Sequence, residues 1–189
     1  MTGRRESARL RPRLYIYRLR QDDPHKCTSG KLLRFGYATP IARRRNIHRG
    51  CILLNPFSDS ILTPLDKGLA EKHGIIALDC SWSRVSEAFS KPWRGVHRRL
   101  PLLLPGNPVS YGKPGRLSSL EALAAALIIL SYDEDAQRIL RLYKWGATFL
   151  DLNRSLFEAY KRSSEEEDIR RIEEETLKTR LSGKQDHSI

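Results

Sequence analysis

The run "ALAAALIIL" at 122–130 constrains this chain more than any other feature, because nine consecutive apolar residues must be hidden from water. A bilayer-spanning helix needs roughly 20 such residues, so this segment belongs in a folded core. Its start is marked by Ser118 and Glu121 at capping-box spacing, followed by Leu120, Leu123, Ala124 and Leu127 at helical intervals. A buried helix over 119–131 is therefore predicted. Just upstream, "RLPLLL" at 99–104 is short and apolar, as a strand buried on both faces would be. The loop between them is rich in proline and glycine. Strand, glycine-rich loop and helix start together resemble a cofactor-binding edge, although such loops more often serve only as turns.

Other segments give the surroundings of this core. "RLYIYRLR" at 13–20 alternates as a first strand would, and Thr28 or Ser29 is placed to cap a short helix ending at Gly36. "GCILLNP" at 50–56 reads as a strand ended by proline. Thr63, Pro64 and Asp66 mark a helix start as N-cap, first helical residue and capping acid. "GIIALD" at 74–79 is a buried strand, and "DCSW" puts Asp79 and Trp82 at its carboxyl end, where open α/β sheets hold ligands. A helix cap and a core tryptophan would explain the same two residues. Helices are predicted over 119–131, 133–145 and 147–162. The change from strands to helices near 104 predicts an α/β N-terminal half and an all-helical C-terminal half. Residues 163–189 read as a charged tail, a solvated or fraying helix with a disordered end.

Charge points to a partner. The chain has 34 Lys plus Arg against 22 Asp plus Glu, yet 163–189 alone has a net charge of −3, which leaves +15 on the first 162 residues. A body this positive attracts a polyanion, of which nucleic acid is the usual one; a soluble or thermophilic surface is the blander explanation. Arg4, Arg5 and Arg9 fall in a flexible basic arm over 1–12. Arg43, Arg44, Arg45 and Arg49 form one basic cluster, and Arg94, Arg98 and Arg99 another. The three cysteines, at 27, 51 and 80, lack C-x-x-C spacing, so neither a disulfide framework nor a metal site is expected. No G-x-G-x-x-G, Walker loop, H-E-x-x-H or G-x-S-x-G occurs, which weakens dehydrogenase, NTPase, metalloprotease and serine hydrolase readings. No signal peptide or membrane span is read, and a cytoplasmic protein is expected.

Taken in order, "DPHKCTSGKLL", "LTPLD", "DCSW", "RLPLLLPGNPVSYGKPGRLSSLEALAAAL" and "KWGATFLDLN" resemble the ribosomal RNA aminocarboxypropyltransferases of archaea and eukaryotes over about residues 13–160. Where that family commonly has A-A-N-P-V-N-Y-G, this chain has Pro105-Gly106-Asn107-Pro108-Val109-Ser110-Tyr111-Gly112. The resemblance implies an enzyme that moves the 3-amino-3-carboxypropyl group of S-adenosylmethionine, its donor substrate, to N3 of a modified uridine of pseudouridine type. The acceptor would be small-subunit rRNA or its pre-ribosomal particle, and the enzyme a monomer. It implies a SPOUT-like knotted α/β domain at 13–101 and a helical domain at 102–162 that completes the donor site. The adenine would meet main-chain groups near Leu103 and Ser118 between walls of Leu54, Pro56, Trp82 and Leu120. The ribose would rest at Leu78, the methionine carboxylate on amides at Thr28, and the donor methyl against Trp82. Asp79 is the catalytic candidate, either assisting loss of the N3 proton or holding the sulfonium and ribose region. A SPOUT-class RNA methyltransferase and a non-enzymatic ribosome-assembly factor are the rival readings.

Overall fold

The computed structural model describes residues 12–19 and 28–182. Five strands, β1 (Leu14–Arg18), β2 (Thr39–Pro40), β3 (Ile52–Leu54), β4 (Ile75–Asp79) and β5 (Val96–Arg98), form one parallel sheet in the order β2-β1-β4-β3-β5. Register pairs Ile16 with Ala77, Leu54 with Ala77, and Leu54 with Arg98. Strand alternation sorts the side chains onto two faces. Leu14, Ile16, Ile52, Leu54, Ile75 and Ala77 enter the main core, whereas Leu53, Ile76 and Leu78 pack on the other face with Ile47, Cys51 and Trp93.

The helices are α1 (Thr28–Arg34), α2 (Lys67–His73), α3 (Val85–Phe89), α4 (Ser119–Ile129), α5 (Asp133–Leu140), α6 (Gly146–Arg162) and α7 (Glu166–Ser182). α1 ends where Gly36 takes φ +73°, and α2 ends at Gly74 with φ +84°, a backbone region that disfavours side chains. α4 is apolar on nearly every side because it is enclosed: it packs against β4, α1, α5 and α6, and residues 123–130 are all buried.

This arrangement corrects the expected architecture. The chain is an α/β unit on a single parallel sheet, and neither a SPOUT-like knotted half nor an all-helical C-terminal half describes it. One apolar core runs without a break from β1, β3 and β4 through α4 to Phe149, Phe157 and Ile169, so the late helices form a layer over the sheet. Residues 101–118 contain no helix.

The expected strand at 99–104 is also corrected. Beyond an isolated bridge of Arg99 to Ile61, the segment joins no ladder. Its buried backbone finds side chains instead, since an unpaired buried amide is costly. Leu102 N donates to Glu173 Oε1 at 2.7 Å, and Leu102 O accepts from Tyr160 Oη at 2.9 Å. Asn153 takes both polar groups of Leu104, Oδ1 accepting at 2.7 Å and Nδ2 donating at 2.8 Å. Burial raises the Tyr160 phenol above its ordinary pKa, which keeps the donated proton in place. In the charged tail, Glu166–Ser182 forms the helix α7. α7 buries Ile169 completely and docks through Glu173.

Candidate active site at the carboxyl edge of the sheet

In a parallel sheet all carboxyl ends lie along one edge, where connecting loops leave a crevice. Here that edge opens into a cavity of about 660 Å³, within the range of small-molecule sites. The ends of β3 and β4 contribute Leu54, Leu78 and Asp79, the start of α1 contributes Thr28, and the turn after β4 contributes Trp82. Pro56, Ser118 and Arg99 also line it. The sequence-predicted residues are thus brought together from five separate segments. Leu103 and Leu120 are different: both are fully buried in the apolar core and do not line the cavity, whereas Leu102 and Ala122 do.

Trp82 is fixed by its indole, whose Nε1 donates to Leu117 O at 2.9 Å, so the ring forms a set wall. Two serines and an arginine hold Asp79. Ser29 Oγ donates to its Oδ2 at 2.6 Å, Ser119 Oγ donates to Oδ1 at 3.1 Å, and Arg18 Nε lies 3.6 Å from Oδ2. The carboxylate therefore ties the end of β4 to the first turns of α1 and α4. Ser29 and Ser119 gave no sequence signal beyond being near helix starts.

The loop over 105–118 is organised by Glu121, whose role is larger than the predicted capping box. It is fully buried. Its Oε1 accepts from Gly106 N at 2.8 Å and Asn107 N at 3.0 Å, while Oε2 accepts from Ser118 N at 2.8 Å, Ser118 Oγ at 2.7 Å and Asn107 Nδ2. Both ends of the loop are latched to one side chain. Gly106 also lets the loop lie against α6, since a Cβ there would lie 2.6 Å from Phe149 N.

The predicted arginines divide into two sets. Arg98 Nε donates to both Asp66 oxygens, at 3.0 and 3.2 Å, and Arg99 forms a fork with Glu173 at 2.7 and 2.8 Å. Arg43, Arg45, Arg49 and Arg94 are exposed; Arg44 lies 4.1 Å over the Trp93 ring, and Arg94 donates to Arg45 O. Arg4, Arg5, Arg9, His25 and Cys27 lie outside the described residues. Among the described residues no helix is long and apolar enough to cross a membrane, and no group of three or more His, Cys, Asp or Glu could hold a metal ion.

Comparison with known proteins gives this edge a context. A family model described as "Ribosome biogenesis protein, C-terminal" matches residues 52–177, and one described as "Possible Fer4-like domain in RNase L inhibitor" matches 12–44. The latter segment contains one cysteine, Cys27, whereas an iron–sulfur cluster of that type takes four thiolates, so the match carries no cluster. The chain is 46% identical over 151 residues to the 16S rRNA aminocarboxypropyltransferase of Vulcanisaeta distributa, covering 79% of this chain and 82% of that one. It is 44% identical to the protein of the same name from Saccharolobus islandicus, covering 87% and 96%. The solved structure of the SAM-dependent rRNA:acp-transferase Tsr3 from Vulcanisaeta distributa superposes with a TM-score of 0.76 at 44% identity, covering 80% of this chain and 84% of that one. At this identity and TM-score the two chains share a fold, which in this chain is the single α/β unit described above. The chain belongs to the 16S rRNA aminocarboxypropyltransferase family.

Proposed function

We propose that this protein transfers the 3-amino-3-carboxypropyl group of S-adenosylmethionine to N3 of a pseudouridine-type uridine in small-subunit rRNA, during ribosome biogenesis. It is a transferase with S-adenosylmethionine as donor and rRNA as acceptor. The observation that carries the reading is the cavity of about 660 Å³ at the sheet's carboxyl edge, walled by a hydrogen-bonded Trp82 and an Asp79 held by Ser29, Ser119 and Arg18. The 44% and 46% identities to proteins named for this activity support it.

A sulfonium has three carbon substituents open to displacement, so geometry selects the product. In this reading Trp82 covers the methyl group, and the amino acid chain, running toward Thr28, turns its γ-carbon to the acceptor. Uridine N3 gives its proton to solvent, with Asp79 the candidate to assist, and bonds to that carbon as the sulfur–carbon bond breaks. The electron pair passes to sulfur, leaving neutral methylthioadenosine. Asp79 acts chiefly by position, its charge favouring the sulfonium and its serines fixing it beside the ribose. Main-chain groups near Leu103 and Ser118 read the adenine, with Leu54, Pro56 and Leu78 as walls and Leu120 behind them. Arg43, Arg44, Arg45, Arg49 and Arg94 contact RNA phosphates, while Arg98 and Arg99, their charges taken by Asp66 and Glu173, shape the protein surface beside the cavity. The enzyme works as a cytoplasmic monomer.

The test is incubation with carboxyl-labelled or methyl-labelled S-adenosylmethionine and small-subunit rRNA lacking the modification. Carboxyl label enters RNA and methylthioadenosine is released. Methyl label alone in RNA, with S-adenosylhomocysteine released, makes the protein a methyltransferase and overturns the reading. Trp82→Ala weakens donor binding at least ten-fold by calorimetry.

A further inference from the structure

Large apolar side chains stand in water at or next to wall residues of the cavity. Phe57, Val109 and Tyr111 are 54%, 87% and 62% exposed, among few large apolar side chains left in water. Phe57 follows Pro56 of the cavity wall and stands edge-on to Phe89, another wall residue, with ring centres 6.0 Å apart. Val109 lines the cavity itself, and Tyr111 lies next to wall residue Ser110. Exposed apolar surface collected beside one opening signals a binding surface.

Both aromatic residues are displayed on fixed backbone. Asn55 Oδ1 accepts from Phe57 N at 3.0 Å, and its Nδ2 meets His97 Nδ1 at 3.0 Å. Asn107 Oδ1 accepts from Ser110 N at 3.0 Å, and Asn107 is itself latched to the buried Glu121. Two asparagine side chains thus brace the turns that adjoin the cavity wall at Pro56 and at Val109 and Ser110. Lys113 and Arg116 line the same opening, and neither forms an ion pair among the described residues. They contrast with Arg98 and Arg99, whose charges are taken by carboxylates.

We infer that Phe57 and Tyr111, with Val109, hold an unstacked base of the acceptor RNA at the cavity mouth, while Lys113 and Arg116 take its flanking phosphates. An acceptor atom within a helical stack cannot reach a donor carbon in a pocket, so the nucleotide must leave the stack. Single-stranded RNA is typically recognised by stacking such bases on aromatic rings beside cations. The rim supplies both chemistries where the donor site opens. The inference rests on the reading of the cavity as the donor site.

The test uses the full chain, unmodified small-subunit rRNA and carboxyl-labelled S-adenosylmethionine, with donor affinity measured separately by calorimetry. Phe57→Ala and Tyr111→Ala each lower kcat/KM for RNA by about five-fold or more, the loss of one base stack. Donor affinity stays within two-fold, and Tyr111→Phe, which keeps the ring, recovers the loss. Lys113→Ala with Arg116→Ala flattens the salt dependence of RNA binding. Alanine variants within two-fold of the parent toward RNA overturn the inference, as does a matching loss of donor affinity. Donor affinity indifferent to Trp82→Ala shows instead that the cavity is not the donor site, and removes the basis of both readings.

Discussion

Replacing Glu121 by glutamine tests whether one buried carboxylate builds the loop side of the active site. The change preserves shape but turns one acceptor oxygen into an NH2 group. If the amide nitrogen takes the Oε1 position, it faces the N–H groups of Gly106 and Asn107; in the Oε2 position it faces Ser118 N and Asn107 Nδ2. Only Ser118 Oγ can turn to accept. At least two buried donors thus lose their acceptor, each at about 1–3 kcal/mol. Relief through loop shifts reduces this, and we expect a net loss of about 2–4 kcal/mol. For a chain of this length that lowers Tm by roughly 4–16 °C. Because Asn107, Ser110, Lys113 and Ser118 all line the cavity, donor affinity falls as well. The assay is thermal unfolding with and without S-adenosylmethionine, together with calorimetry of donor binding. A Glu121→Gln protein melting within 2 °C of the parent, with unchanged affinity, would refute the latch.

Three further outcomes follow from the same packing. Gly106→Ala pushes a Cβ to 2.6 Å from Phe149 N, backbone that cannot yield as a side chain end would, and should cost about 1–3 kcal/mol in denaturant unfolding; an unchanged midpoint contradicts the contact. Asn153→Asp sets a carboxylate oxygen against Leu104 O and Phe149 O, where the amide now donates to both at 2.8 Å. A loss of about 3 kcal/mol or more is expected, and equal stability at pH 7 would show that Leu104 does not depend on this side chain. Burial pushes the Cys51 thiol from 9.0 up to about 12, so the folded state holds its proton more tightly than the unfolded state. The resulting stability is complete below pH 9 and declines as pH rises toward 12. The stability difference between the parent and Cys51→Ala should therefore shrink over that window, and a constant difference refutes the assignment.

Much of the local structure was legible in the sequence because its determinants are local. Gly36 and Gly74 end α1 and α2 through positive φ, and Ser118 caps α4. Asp79 and Trp82 were visible because a parallel sheet brings strand ends to one edge, whatever the order of its strands. The three-residue β5, carrying His97 and Arg98 in "WRGVHRR", was hidden because its residues are all only partly buried and show no apolar pattern. Its arginine read as an RNA contact, yet it pairs with Asp66, 32 residues away in sequence. "RLPLLL" had a strand's composition, but apolar content does not specify the hydrogen-bonding partner of its backbone.

The sequence by itself determined where most strands and helices begin and end, the apolar nature of α4 and the position of Asp79 and Trp82 at the end of a buried strand. All of these depend on contacts within a few residues or on strand alternation. Only the tertiary structure decided that the late helices form a layer of one α/β unit. It likewise decided that Leu102 and Leu104 are satisfied by Asn153, Tyr160 and Glu173, and that Arg99 belongs to Glu173. Those partners lie 49 to 74 residues apart along the chain. Their pairing is fixed by the packing of the whole core, which no short window of sequence contains.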